Sequence, residues 1–150
     1  MDQEIRKKIL TLLDQHRIMT IATNRPDGWP QATTVGYVNE GLTLYFLCGL
    51  DSQKAANLAR DDRVSLTIDH DTSQVMEITG LSMAARAQAV VDRREAARVL
   101  RMLPRKYPEQ INLPGPMPTV DQVKIFRVTP TVISVLDYSK GFGHTDLVTC

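Results

Sequence analysis

Leu44-Tyr45-Phe46-Leu47-Cys48-Gly49-Leu50-Asp51-Ser52-Gln53-Lys54 passes from one kind of backbone to another across a single break. The first half is aromatic and aliphatic, the composition of a buried strand. Gly49 to Asp51 interrupt it, and Asp51 or Ser52 can cap a helix in which Ala55, Ala56, Leu58 and Ala59 are good formers and which ends by Arg60. Upstream, Ile18 to Thr23 is a short β-branched run, followed by the turn signal Asn24-Arg25-Pro26-Asp27-Gly28. Gln31 to Val38 then meets Leu42 to Leu47 across the tight turn Asn39-Glu40-Gly41. Strands joined by such short turns make an antiparallel meander, because a parallel pair needs a long crossover.

Working outward, residues 3 to 16 carry Ile5, Ile9, Leu12 and Leu13 at helical spacing behind a capping Asp2. Downstream of the central helix, Arg63 to Asp69 alternates Val64, Leu66 and Ile68 with Ser65 and Thr67, the pattern of a half-buried strand. Val75 to Val91 fits one long strand or two, with Gly80 marking a bend or bulge. Asp92-Arg93-Arg94-Glu95 opens a helix to about Tyr107, with Pro104 as a point where it could stop early. Residues 108 to 118 are proline-rich and irregular, Val123 to Val128 and Val132 to Leu136 are two strands split by Thr129-Pro130, and the tail from Ser139 is expected to be flexible. The order predicts one mainly β domain over residues 1–150: a six- to seven-stranded antiparallel split β-barrel with an N-terminal helix and two inserted helices.

Composition narrows the function. Eighteen Lys+Arg against 17 Asp+Glu give a net charge of +1, unlike the strongly basic balance of nucleic-acid or membrane-surface binders. No apolar run approaches a membrane span, and MDQEIRKKIL lacks the apolar region of a signal peptide. The two cysteines, Cys48 and Cys150, form no disulfide framework and fit a reducing cytoplasm, where the protein is expected. His16, His70 and His144 are far apart in sequence, with no HxxxH, HExxH or CxxC, so no metal is expected. GxSxG, GxGxxG and the P-loop are absent too, and Cys48 fits a small apolar residue at a strand end.

The chemistry that remains lies at the start of the central helix. Its first-turn N–H groups and dipole favour an anion, Ser52 adds a hydroxyl, and Lys54 adds a charge where the dipole alone would disfavour one. A Ser-capped surface helix with a solvated lysine fits the same residues, and spacing alone does not separate the two. Arg94, Arg98, Arg101 and Arg105 share nearly one face of the later helix, either as a solvated surface or as a rim attracting an anionic group.

Several stretches carry a resemblance to a known family. Met19-Thr20-Ile21-Ala22-Thr23, Asp27-Gly28-Trp29-Pro30, Gly41-Leu42-Thr43-Leu44-Tyr45-Phe46 and, most specifically, Ser52-Gln53-Lys54-Ala55-Ala56-Asn57-Leu58 followed by Asp62-Arg63-Val64-Ser65-Leu66 resemble the pyridoxamine 5′-phosphate oxidase-like FMN-binding split barrels. The resemblance implies a homodimer with FMN at its interface: Ser52 and Lys54 at the phosphate, Thr33-Thr34-Val35 along the ring and ribityl chain, and Phe46-Leu47 flanking it. Gln31 and Gln53 stand near the phosphate where the oxidase proper carries one arginine and usually a second. The tail Gly141-Phe142-Gly143-His144 lacks the oxidase's Trp/Arg substrate motif, which points away from pyridoxine 5′-phosphate. The expected function is an FMN-dependent oxidoreductase of a small organic molecule, with no catalytic residue assigned. The alternatives are a deazaflavin (F420)-dependent reductase, whose polyglutamate tail the arginine stripe would attract, and a non-catalytic flavin- or haem-binding sensor.

Overall fold

Asp2 accepts a hydrogen bond from the Glu4 N–H at 3.0 Å and starts α1, Gln3–Gln15, which buries Ile9, Leu12 and Leu13. The structure is a computed structural model and describes residues 1–108 and 118–150. All but the two ends of the proline-rich stretch lie outside the described residues. After α1 come β1 (Ile18–Asn24), β2 (Pro30–Gly36), β3 (Val38–Glu40) and β4 (Thr43–Gly49), then α2 (Gln53–Arg60) and β5 (Arg63–Asp69). β6 (Thr79–Ala89), α3 (Arg93–Lys106), β7 (Val123–Asp137) and β8 (Thr145–Thr149) complete the chain. The strands form one 8-stranded sheet in the order β2-β1-β5-β6-β7-β4-β3, with β8 on β7. Every pairing is antiparallel. The mainly β split barrel with three helices is therefore present.

β2 and β3 stand at opposite ends of that order, yet only Tyr37 separates them in the chain. The sheet must therefore curl round until its two ends meet at Tyr37. β4 pairs with β3 only through Thr43, Leu44 and Tyr45, so Phe46 to Gly49 run back beside β2. The two strands touch there but share no ladder pairing among the described residues. This open seam is the split in the barrel, and α2 follows directly from its β4 side.

Inside the barrel, Met19, Ile21, Leu44, Phe46, Ile68, Leu81, Phe126 and Ile133 pack with Ile9 and Leu13 of α1. A second apolar cluster lies outside, where Ala96 and Val99 of α3 cover Val38, Tyr45 and Ile125. The outer face of β2-β1-β5-β6 is different in kind. Across it run two in-register rows, Thr34–Thr20–Thr67–Ser82 and Ala32–Ala22–Ser65–Ala84. All eight are short and uncharged, and Thr34, Thr20, Thr67, Ala32, Ser65 and Ala84 are exposed.

The strand boundaries need correction in four places. The run expected as Gln31 to Val38 breaks at Tyr37 into β2 and β3. The two strands expected around Thr129-Pro130 are one strand, β7, because a bulge absorbs the proline: Ala84 pairs with Val132 and Ala85 with Pro130, leaving Thr131 as the extra residue. The same register shift is the irregularity of β6, so Gly80 is not its bend, and a single 3-10 turn at Val75–Glu77 precedes the strand. The tail carries a further strand. Asp137 accepts from the Ser139 N–H at 3.1 Å, and β8 pairs Thr145 to Thr149 with Leu136 to Val132 and buries Val148. α3 runs past Pro104 to Lys106, since a proline in the last turn removes only a terminal hydrogen bond and Tyr107 N–H still reaches Leu103 C=O at 2.8 Å.

Candidate functional site

The seam is bordered by the three segments singled out in the sequence: β2, the free end of β4, and the start of α2. On β2 the alternation turns Gln31, Thr33 and Val35 to one face and Ala32, Thr34 and Gly36 to the other. Val35 packs against the interior cluster. The Thr33 hydroxyl is buried, and among the described residues it is the buried side-chain polar atom with no hydrogen-bond partner. Thr34 points outward into the row of short residues.

On β4, Phe46 is fully buried and stacked on Phe126 with ring centroids 5.4 Å apart. Leu47 faces the opposite way and packs against the α3 cluster. Towards the seam, Phe46 and Leu47 thus present main-chain groups rather than side chains.

At α2, Ser52 is the cap: its Oγ accepts from Ala55 N–H at 3.1 Å. The hydroxyl hydrogen stays available, as do the N–H groups of Gln53 and Lys54, which the helix start leaves without partners. Lys54 is half-buried and makes no hydrogen bond or ion pair among the described residues. Gln53 and Gln31 are brought together by Asn57. Gln53 Nε2 donates to Asn57 Oδ1 at 2.8 Å, and Asn57 Nδ2 donates to Gln31 Oε1 at 3.3 Å and to Thr23 Oγ1 at 3.0 Å. Asn57 is completely buried and Thr23 nearly so, so this belt of amides is fixed in place. The far end of α2 is tied to the same strand end: Arg60 donates to Asn24 C=O at 3.0 Å, and Asn24 donates to Asp61 at 3.1 Å. Arg63 holds the Asp61 carboxyl well below the usual carboxylate range.

Beside the amide belt opens a cleft of about 520 Å³ lined by Arg25, Pro26, Asp27, Gln31 and Gln53, within the ordinary range for small-molecule sites. Arg25, Asp27 and Asn57 were assigned no site role from the sequence. Asn57 carried a signal, a polar residue between the buried positions Ala55 and Leu58 of an amphipathic helix. Arg25 and Asp27 carried none, since they lie in a turn and reach the cleft only through folding.

The other candidates fall elsewhere. His16 and His70 meet, with Nε2 and Nδ1 3.0 Å apart and the rings stacked, while His144 lies beside Asp146. Among the described residues no cluster of three or more His, Cys, Asp and Glu side chains could hold a metal. Of the arginine stripe, Arg98 pairs with Glu40 at 3.1 Å and the others stay exposed on α3, none lining the cleft. Nor is any described helix long and apolar enough to cross a membrane.

A curled antiparallel sheet split along one seam, with a capped helix and a cleft at its end, defines a split-barrel protein. The chain belongs to the pyridoxamine 5′-phosphate oxidase family, whose model matches residues 5–137. A 69-residue stretch is 28% identical to general stress protein 26 of Bacillus subtilis (strain 168), covering 46% of this chain and 49%, about half, of that relative. Among solved structures, a conserved hypothetical protein of Mycobacterium tuberculosis is 27% identical with a TM-score of 0.76, over 97% of this chain and 91% of the other. A heme binding protein of Mycobacterium smegmatis shares the fold with a TM-score of 0.78 at 16% identity, over 99% of this chain and 59% of the other.

Proposed function

We propose that the protein binds FMN along the seam and acts, as a homodimer, as an oxidoreductase of a small organic substrate. The observation that carries this reading is the unpartnered Thr33 hydroxyl, a buried polar group beside the seam whose desolvation a polar atom of a bound ligand would offset. The donor set agrees with a phosphate-bearing ligand. The Ser52 hydroxyl, the N–H groups of Gln53 and Lys54 and the Lys54 ammonium would hold the phosphate. Thr33 to Val35 and the main chain of Phe46 and Leu47 would border the ring and ribityl chain. FMN, when bound, supplies the hydride or electron transfer. The chain's own contribution is to bind, orient and exclude water, and no described side chain of the cleft is assigned as acid or base.

Haem is the less suited ligand, although a structural neighbour is a heme binding protein. Arg25, Pro26, Asp27, Gln31 and Gln53 include no axial iron ligand. The homodimer is supported by the outer face of β2-β1-β5-β6, where short uncharged residues let a second copy approach closely without burying charge.

The test is the visible spectrum of the purified protein with an FMN titration followed by flavin fluorescence. Flavin bands or saturable quenching are expected, and Lys54→Ala should weaken binding about tenfold, the scale of one charge-assisted contact, with an unfolding temperature close to wild type. A colourless protein that quenches no FMN rules the reading out, and haem or deazaflavin bands would replace the ligand.

A further inference from the structure

We infer that Arg25, in the turn between β1 and β2, is the cation that meets the ligand's anionic group from across the cleft; this rests on the flavin reading above. Of the residues lining the cleft, Arg25 carries the positive charge. The two glutamines that share the lining are neutral and each is bonded to Asn57, at 2.8 and 3.3 Å. They shape the wall but cannot balance an anion. Arg25 has five N–H donors in a planar fork. It spends one on Asp27 Oδ2 at 2.8 Å, with half of its side chain still exposed.

The turn that carries the arginine is itself held by backbone bonds. The Arg25 N–H donates to Trp29 C=O and its C=O accepts from Gly28 N–H, both at 2.9 Å. Gly28, at φ +88°, closes this turn in a conformation other residues rarely adopt. Asp27 is held in turn by Trp29 N–H at 3.1 Å. An anion in the cleft would therefore lie between Gln53, the first residue of α2, and the Arg25 guanidinium. The Asp27 carboxylate on the same wall opposes it. This arrangement assigns Arg25 to the phosphate of a phosphorylated flavin, and makes the Arg25–Asp27 pair a tuner of that affinity.

Quenching titrations of the full chain with FMN and with riboflavin, which lacks the phosphate, separate this role from a general one. Wild type should bind FMN more tightly than riboflavin. Arg25→Gln should weaken FMN about tenfold while leaving riboflavin within about twofold, and Asp27→Asn should strengthen FMN a few-fold. If Arg25→Gln binds FMN as wild type does, or loses FMN and riboflavin equally, the assignment is overturned and the flavin reading stands. A wild type that quenches neither flavin removes the flavin reading itself, and Arg25's role with it.

Discussion

Thr33 makes the conflict between folding and binding measurable at one side chain. A buried hydroxyl without a partner costs about 1–3 kcal/mol relative to a satisfied one. Thr33→Val keeps the shape and removes that group, so the ligand-free protein should gain stability, by about 1 kcal/mol in urea unfolding. FMN affinity should fall in the same variant. A loss of both would mean that the hydroxyl serves the fold alone. Gly80 is a residue of the opposite kind, retained for space. It pairs with Asp69 across β5 and β6, and a Cβ there would lie 2.6 Å from Ile68 C=O and 3.0 Å from Asp69 Cβ. Those neighbours include backbone in the middle of the sheet, so Gly80→Ala should destabilise by about 1–3 kcal/mol. Gly49→Ala, with open space around the added methyl, is the control and should unfold with wild type.

Among the elements, α3 depends on a charge cluster beneath its first turn. Arg127 on β7 grips Glu95 with two hydrogen bonds of 2.8 and 2.6 Å, and Tyr45 OH donates to the same carboxylate at 2.8 Å. The guanidinium lowers the Glu95 carboxyl from its ordinary 4.5 to about 2. Because the folded value lies below the unfolded one, this stabilisation is present above pH 4.5 and is lost as pH falls towards 2. Glu95→Gln should therefore lower stability at neutral pH by about 1–3 kcal/mol and flatten the acid limb of a pH–stability profile. Part of that limb should persist, since Lys8 holds Asp137 at about 2 as well. None of this network was legible in the sequence, because Glu95 and Arg127 are 32 positions apart. What could be read was local periodicity: Arg63 to Asp69 alternates exposed and buried as its residues predict, and Ser52 and Asp92 cap the helices they precede. Local signals failed where tertiary pairing overrode them, at Pro130, taken up by a bulge, and at β8, whose Gly-containing approach concealed a paired strand. The site followed the same rule. The capped helix start was visible, whereas Asn57 joins Gln31 and Thr23 over 26 and 34 positions, a junction that only the folded sheet creates.

For the whole molecule, a packed apolar interior coexists with one outer face of short, uncharged residues. The rows Thr34–Thr20–Thr67–Ser82 and Ala32–Ala22–Ser65–Ala84 cross four strands in register, so a flat, short-chained surface is set by the sheet rather than by any one segment. Charges stand at its rim instead, where Arg63 pairs with Asp61 at 2.9 Å and Arg86 with Asp62 at 2.6 Å. A second copy seated there would bury small groups without desolvating an unpaired ion, the costly event at an interface. Thr67→Arg tests this directly, since Thr67 lies on β5, between β1 and β6 within that face, and is exposed in the single chain. The variant should fold with an unfolding temperature near wild type at limiting dilution, where both are single chains, and light scattering at micromolar concentration should give a monomer where wild type gives a dimer. Arg101→Glu, on the exposed side of α3, should leave the dimer intact. If Thr67→Arg remains dimeric, the copies meet through another surface; if wild type is itself monomeric, a ligand site shared between two copies has to be abandoned.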